Sequence, residues 1–328
     1  MKRLLLAFAV IASLGFVAAF AARALYVSYD PLTEKLIAEA PATHILMFGD
    51  SVLSTPAACD TDHRPIDQMV SELLDQPVLA IKHGAYSASV FEHYAALLST
   101  NRSAVETAII PINLAAWSRS WGDRPGYQFA LLKNYIDFRA TRTAGWPVLW
   151  SHLITGSDLA AKQQWDAGSS RAFTGEELGL QRDLDRGYVA RTLDCSAAPP
   201  TQAEREQLRR QFLWHYGVVA NEGPAIDAAL RNTLRRLKAS RIRPIVYLTP
   251  IDLGNARVVA GEELVRHIDA QAKGLIELIR EEGVEALDLH GALAPEYFMD
   301  KRFATEHLNQ AGRLFVASEV AARYRRGE

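Results

Sequence analysis

HILMFGDSVLS, residues His44 to Ser54, is an apolar run that stops at Gly49-Asp50-Ser51 and then turns polar. It reads as a strand entering a turn, with a serine hydroxyl at the strand's end. The tripeptide alone does not single out Ser51: ordinary Gly, Asp and Ser frequencies produce it by accident in roughly one chain of this length in ten. Its surroundings carry more. Further short apolar runs occur near Val78–Lys82, Ala108–Asn113, Pro244–Thr249 and Ala286–Leu289. Helical stretches fall near Ile66–Leu74, Ser89–Leu98, Gln202–Tyr216, Ile226–Ser240, Gly261–Glu282 and Asn309–Arg325. In Gly261–Glu282, Leu264, Ile268, Ala272, Leu275 and Ile279 recur at steps of three or four, which buries one face. Strands alternating with helices predict an α/β fold, a parallel sheet sandwiched between helices.

The chain has 328 residues and a formal net charge of −2. That length allows one or two domains, and the charge gives no reason to expect binding to nucleic acid or to an anionic membrane surface. No repeat period or low-complexity tract is visible. At the amino terminus Lys2 and Arg3 precede an uncharged stretch from Leu4 to Ala22, closed by Arg23. Residues 1–27 therefore read as a signal anchor, with the small-residue run Ala18–Ala22 leaving cleavage as the alternative. Either way residues 28–328 form an exported body, expected in the periplasm or outside the cell and tethered to the inner membrane if the leader stays.

Within that body, 118–201 interrupts the strand–helix alternation. It carries Trp121, Trp146, Trp150 and Trp165, with Pro199 and Pro200 near its end. We read it as a helical or irregular cap over the sheet, its tryptophans serving packing or lining a pocket. The only cysteines are Cys59 and Cys195. In an oxidising compartment they can pair; otherwise they are buried thiols. Asp60, Asp62 and His63 sit together in CDTDHRP, but nothing elsewhere matches them with ligand spacing, so neither a metal nor another cofactor is expected.

In a parallel sheet the binding face lies at the carboxyl ends of the strands. Ser51, Gly84, Asn113 and Asp252 all fall at or just after a predicted strand's end, although a strand-end turn suffices for Asp252. Asn309 can cap the last helix, which leaves His307 in the loop before it, where an imidazole can lean over the sheet edge.

Together these pieces resemble the SGNH/GDSL hydrolase superfamily. MFGDSVL is similar to its first block, with Ser51 as nucleophile; IKHGAYSAS resembles the second, which supplies a backbone N–H; IIPINLAAWS resembles the third, whose Asn completes the oxyanion hole; EHLNQAG resembles the last, which carries the histidine. The resemblance implies a flavodoxin-like sandwich, Ser51 and His307 as a catalytic pair, and Ser51, Gly84 and Asn113 as oxyanion donors. Where the family has an acid three residues before the histidine, this chain has Ala304. Asp300, ahead of Glu306, is the candidate third member, and a Ser–His dyad remains open. In the second block only Gly84 survives of the family's glycines, so its N–H and that of Ser87 both stay candidates. PINL in the third block resembles the membrane-anchored, envelope-associated branch, the SGNH proteins that work with membrane-bound O-acyltransferases. The expected function is an exported serine esterase or O-acyltransferase acting through an acyl-enzyme on an acylated envelope glycan or related ester. The alternative is a non-catalytic glycan-binding or scaffold protein of the same fold.

Overall fold

A computed structural model describes residues 10–18, 31–57, 59–118, 129–141, 200–217, 223–299, 304 and 306–327. In chain order the main elements are α1 (Pro31–Glu39), β1 (Ile45–Gly49), α2 (Ser51–Ser54), α3 (Ile66–Leu74), β2 (Val78–Lys82), α4 (Ala88–Thr100) and β3 (Thr107–Ile112). They continue with α5 (Ala130–Thr141), α6 (Gln202–Phe212), α7 (Gly223–Ala239), β4 (Arg243–Leu248), α8 (Leu253–Ala260), α9 (Glu262–Glu281), β5 (Ala286–Asp288) and α10 (Gln310–Arg325). The five strands form one sheet in the order β2-β1-β3-β4-β5, every neighbouring pair parallel.

Both faces of this sheet are covered, which is why its central strands read as continuous apolar runs rather than alternating ones. All five residues of β1 and all six of β3 are buried. Leu46 and Phe48 enter the core shared with α4 and α7, where Phe48 stacks on Phe91 with centroids 5.0 Å apart. Ile45 and Met47 point the other way, into the core shared with α3 and α10. The periodicity read in α9 holds: Leu264, Ile268, Ala272, Leu275 and Ile279 are all buried.

Two prolines lie inside strands, and both sit where the ladder is absent. Pro111 has the same orientation as Thr107, whose N–H donates to the His44 carbonyl on the β1 side. Lacking an N–H, Pro111 cannot extend pairing in that direction. Pairing between β1 and β3 stops at Met47↔Ile109, while β3 and β4 stay paired to Ile112↔Leu248. The strands thus part at their carboxyl ends, between β1 and β3, where the strand order reverses and crevices form in sheets of this kind. Pro244 precedes the first β4–β5 pair, Val246↔Ala286.

Some elements differ from the sequence reading. The stretch expected as one helix to Tyr216 is α-helical to Phe212 and then widens into a π turn over Leu213–Gly217. Helices α1 and α8 arise where none was expected, α8 being capped by Asp252, whose Oδ1 accepts from Asn255 N at 2.9 Å. Of the expected cap, α5 packs Leu132 and Ile136 into the main core; residues 119–128 and 142–199, with Trp121, Trp146, Trp150 and Trp165, lie outside the described residues. Cys59 is disulfide-bonded, and Cys195 lies outside the described residues. Residues 10–18 are helical, the rest of the stretch expected as a leader lies outside the described residues, and among the described residues no helix is long and apolar enough to cross a membrane.

Candidate active site

Ser51 is the first residue of α2, one step beyond the Asp50 cap that ends β1. Asp50 Oδ1 accepts from Val52 N at 2.9 Å, which turns the chain sharply enough to lift Ser51 out of the strand line. The preceding Gly49 has no room for a Cβ, because the buried Leu53 side chain lies against it, and its carbonyl accepts from His83 N at 3.2 Å. The end of β1 and the loop after β2 are thereby tied together.

His307 is held without a long strand. Phe298 and Leu308 form an isolated antiparallel bridge, Met299 N donates to the His307 carbonyl at 3.1 Å, and Asn309 N donates to the Tyr297 carbonyl at 2.9 Å. Asn309 then caps α10, accepting from Gly312 N at 3.0 Å through Oδ1 and donating through Nδ2 to the Glu296 carbonyl at 2.7 Å. At position 312 a Cβ would stand 2.8 Å from the Tyr297 carbonyl oxygen, so only glycine allows this approach. Beneath the loop lies Arg313, fully buried. Its Nη1 donates to Asp60 Oδ2 at 2.7 Å and to the Leu308 carbonyl at 2.9 Å, its Nε to the Arg64 carbonyl at 3.1 Å, and its Nη2 to the Asp62 carbonyl. Gln310 Oε1 accepts from the backbone of Thr61 and Asp62. The loop that follows Ser51 and the loop that carries His307 are therefore clamped by one guanidinium.

The result is a separation of 3.0 Å between His307 Nε2 and Ser51 Oγ, across 256 positions of sequence. His307 is buried, and burial holds its imidazole down at about 4. At neutral pH the ring is uncharged, and with its proton on Nδ1 it offers Nε2 as acceptor for the serine proton.

Of the two carboxylates weighed as orienting acid, Asp300 lies outside the described residues. Glu306 faces elsewhere: its carboxyl accepts from the Tyr216 hydroxyl. Ala304, three residues before His307, is buried with its N–H on Gln211 Oε1 at 2.9 Å.

Across the crevice, Asn113, the expected oxyanion donor, follows β3 beyond Pro111. Its Oδ1 accepts from Ala115 N at 2.9 Å and its Nδ2 donates to Asp50 Oδ2 at 3.1 Å, which fixes the amide's orientation. Asp50 thus bridges the ends of β1 and β3, a role the sequence did not reveal; burial raises its carboxyl, against the hydrogen bonds from Asn113 and Val52. A small cleft beside this pair is lined by Ser87, Phe91, Ile112 and Trp117. Gly84 sits in an exposed turn closed by Tyr86 N to the His83 carbonyl at 3.1 Å, with Ala85 at φ 66°. In CDTDHRP, Asp60 is taken by Arg313, and Arg64 beside Asp62 holds that carboxyl at about 2.

Neither a family model nor a curated protein matches the sequence. Among solved structures, one match is an acetyl xylan esterase from the rumen bacterium Butyrivibrio proteoclasticus, at 10% identity and a TM-score of 0.35, covering 87% of this chain. The chain spans 64% of that esterase's length. At that level the likeness carries no functional argument, and the α/β architecture stands on the sheet and helices themselves.

Proposed function

We propose that the protein is a serine ester hydrolase or O-acyltransferase with Ser51 as nucleophile and His307 as general base. The observation that carries this reading is the 3.0 Å approach of Nε2 to Oγ at the carboxyl edge of a parallel sheet, beside the crevice between β1 and β3. Ser51 Oγ attacks the ester carbonyl carbon while its proton passes to Nε2. The carbonyl oxygen becomes an oxyanion, met by the Ser51 N–H, which has no intrahelical acceptor at the first position of α2, and by Asn113 Nδ2. The third donor is an N–H from the turn at Gly84 or from Ser87. Collapse breaks the carbon–oxygen bond, His307 returns the proton to the leaving alcohol, and the acyl group remains on Ser51. Water or a glycan hydroxyl then repeats the attack with His307 again as base. Each fixed donor is worth roughly 3 kcal/mol of barrier.

The SGNH resemblance of the four blocks supports an envelope glycan ester as substrate and a membrane-bound O-acyltransferase as partner. The basic-then-apolar leader and the disulfide at Cys59 favour an exported body, since disulfides persist in oxidising compartments. A tether at residues 1–27 would raise the enzyme's concentration beside lipid-linked polymers and so favours transfer over release into bulk water. The test is labelling with a fluorophosphonate probe. We expect the wild type to react and both Ser51→Ala and His307→Ala to lose the label; a folded wild type that never reacts would overturn the catalytic reading in favour of a binding protein.

A further inference from the structure

Resting on the reading of His307 as general base, we infer that Gln211 and Tyr216 are its positioning residues: from the π-widened end of α6 they hold the chain at Ala304 and Glu306 and so fix where the imidazole meets Ser51. In an α-helix, residues five apart point about 140° away from each other. Gln211 and Tyr216 are five apart, yet both are buried and both reach the same short segment. The π turn over Leu213–Gly217 accounts for this, because closing i to i+5 brings residue i+5 back toward the face of residue i. Gln211 Oε1 accepts from Ala304 N at 2.9 Å, and the Tyr216 hydroxyl donates to the Glu306 carboxyl. Gln211 also buries Nε2 with no acceptor among the described residues, a cost that an apolar side chain would avoid. What the glutamine contributes against that cost is its hold on Ala304.

An imidazole is aimed by its Cα–Cβ bond, so the backbone must be fixed on both sides of residue 307. On the far side, Met299 N donates to the His307 carbonyl, Asn309 caps α10 and Arg313 Nη1 donates to the Leu308 carbonyl. On the near side the hold comes from Gln211 and Tyr216. Tyr216 grips the side chain of Glu306 while that of His307 goes to Ser51, so the grip does not compete for the ring. Burial lowers the imidazole to about 4, and a ring displaced toward water therefore climbs back toward its ordinary 6.5 and reports its own misplacement. Glu306, raised by burial to about 7, titrates above that limb, and its neutral form still offers a carbonyl oxygen to the tyrosine hydroxyl.

The experiment is the rate of fluorophosphonate labelling across the acid and neutral range in the full chain, with circular dichroism on each sample to confirm the fold. Wild type should lose label with a midpoint of about 4, where His307 takes a proton. Tyr216→Phe, Gln211→Met and Glu306→Ala should each slow labelling at neutral pH by about ten- to a hundredfold and move that midpoint up toward 6.5. Asp50 stays in place in every variant, so a moved midpoint belongs to His307. Glu306→Gln keeps an oxygen for the tyrosine hydroxyl and should recover most of the rate. Tyr216→Phe combined with Glu306→Ala should be no slower than either alone, since both remove one contact. Tyr216→Phe keeps the ring and its packing, and Gln211→Met nearly keeps the volume, so the test survives if one variant does not fold. Wild-type rates in these variants, an unmoved midpoint, or additive losses in the double variant overturn the positioning role while leaving the esterase reading intact. Absence of label from folded wild type at every pH overturns the esterase reading, and this role with it.

Discussion

Ser51 and His307 share one hydrogen bond, yet opposite kinds of structure deliver them to it. Ser51 stands at the end of a strand that is buried along its whole length and paired on both sides, so its place follows from the backbone ladder. His307 stands in a loop fastened by one isolated bridge, a helix cap, a glycine with no room for a side chain and a buried guanidinium. A ladder spreads its stabilisation over many backbone groups, whereas the histidine loop depends on a few side chains. Single substitutions should therefore disturb the placement of His307 far more than that of Ser51.

The largest expected effect comes from Arg313→Met. It leaves the buried Asp60 carboxylate unpaired and the Leu308, Arg64 and Asp62 carbonyls without their donor, at a cost of about 3–5 kcal/mol. Urea unfolding measures it; a loss below about 1 kcal/mol would break the contrast between the two regions.

Next is the pH dependence, in which two neighbours act with opposite sign. Glu306, raised in the folded state, contributes stability that is complete below its unfolded value near 4.5 and disappears as pH rises through about 7. His307, lowered in the folded state, contributes stability that is complete above 6.5 and disappears as pH falls through about 4. Each amounts to up to about 3 kcal/mol. Glu306→Gln should accordingly gain on wild type between pH 5 and pH 8 in paired denaturant titrations, and an unchanging difference would sink the assignment.

Gly312→Ala sharpens the comparison locally. Forcing a Cβ toward the Tyr297 carbonyl should cost about 1–3 kcal/mol and slow labelling of Ser51 as His307 is displaced. Thermal unfolding reads the first effect and labelling kinetics the second; unchanged kinetics would mean the loop adapts without moving the imidazole. The smallest effect is on the Ser51 side of the crevice. Ala85→Gly relieves a left-handed backbone at φ 66°, and should stabilise by less than about 1 kcal/mol, since glycine's freedom in the unfolded chain offsets part of the relief.

Much of the fold was legible because burial on both faces writes itself as uninterrupted apolar runs. Where legibility failed, the cause was distance or geometry. The prolines of β3 and β4 look wrong for central strands until the register is known, because whether a missing N–H matters depends on which neighbour it faces. Tyr216 and Glu306 lie 90 positions apart, so no local pattern joins them. Glu306 was weighed as a partner for the imidazole next to it, but adjacent residues in an extended segment send their side chains to opposite sides. Its carboxyl meets Tyr216 instead.

The amino-acid sequence by itself determined the α/β class, the strand endings that expose Ser51 and Asn113, and the cap that leaves His307 just ahead of the last helix, since each follows from local periodicity and turn chemistry. Only the tertiary structure decided that β1 and β3 part beyond Ile109, that Asp50 joins their ends, and that Arg313 brings an imidazole to a hydroxyl 256 positions away. Those contacts depend on register and on side chains meeting across the chain, and neither is encoded within any one segment.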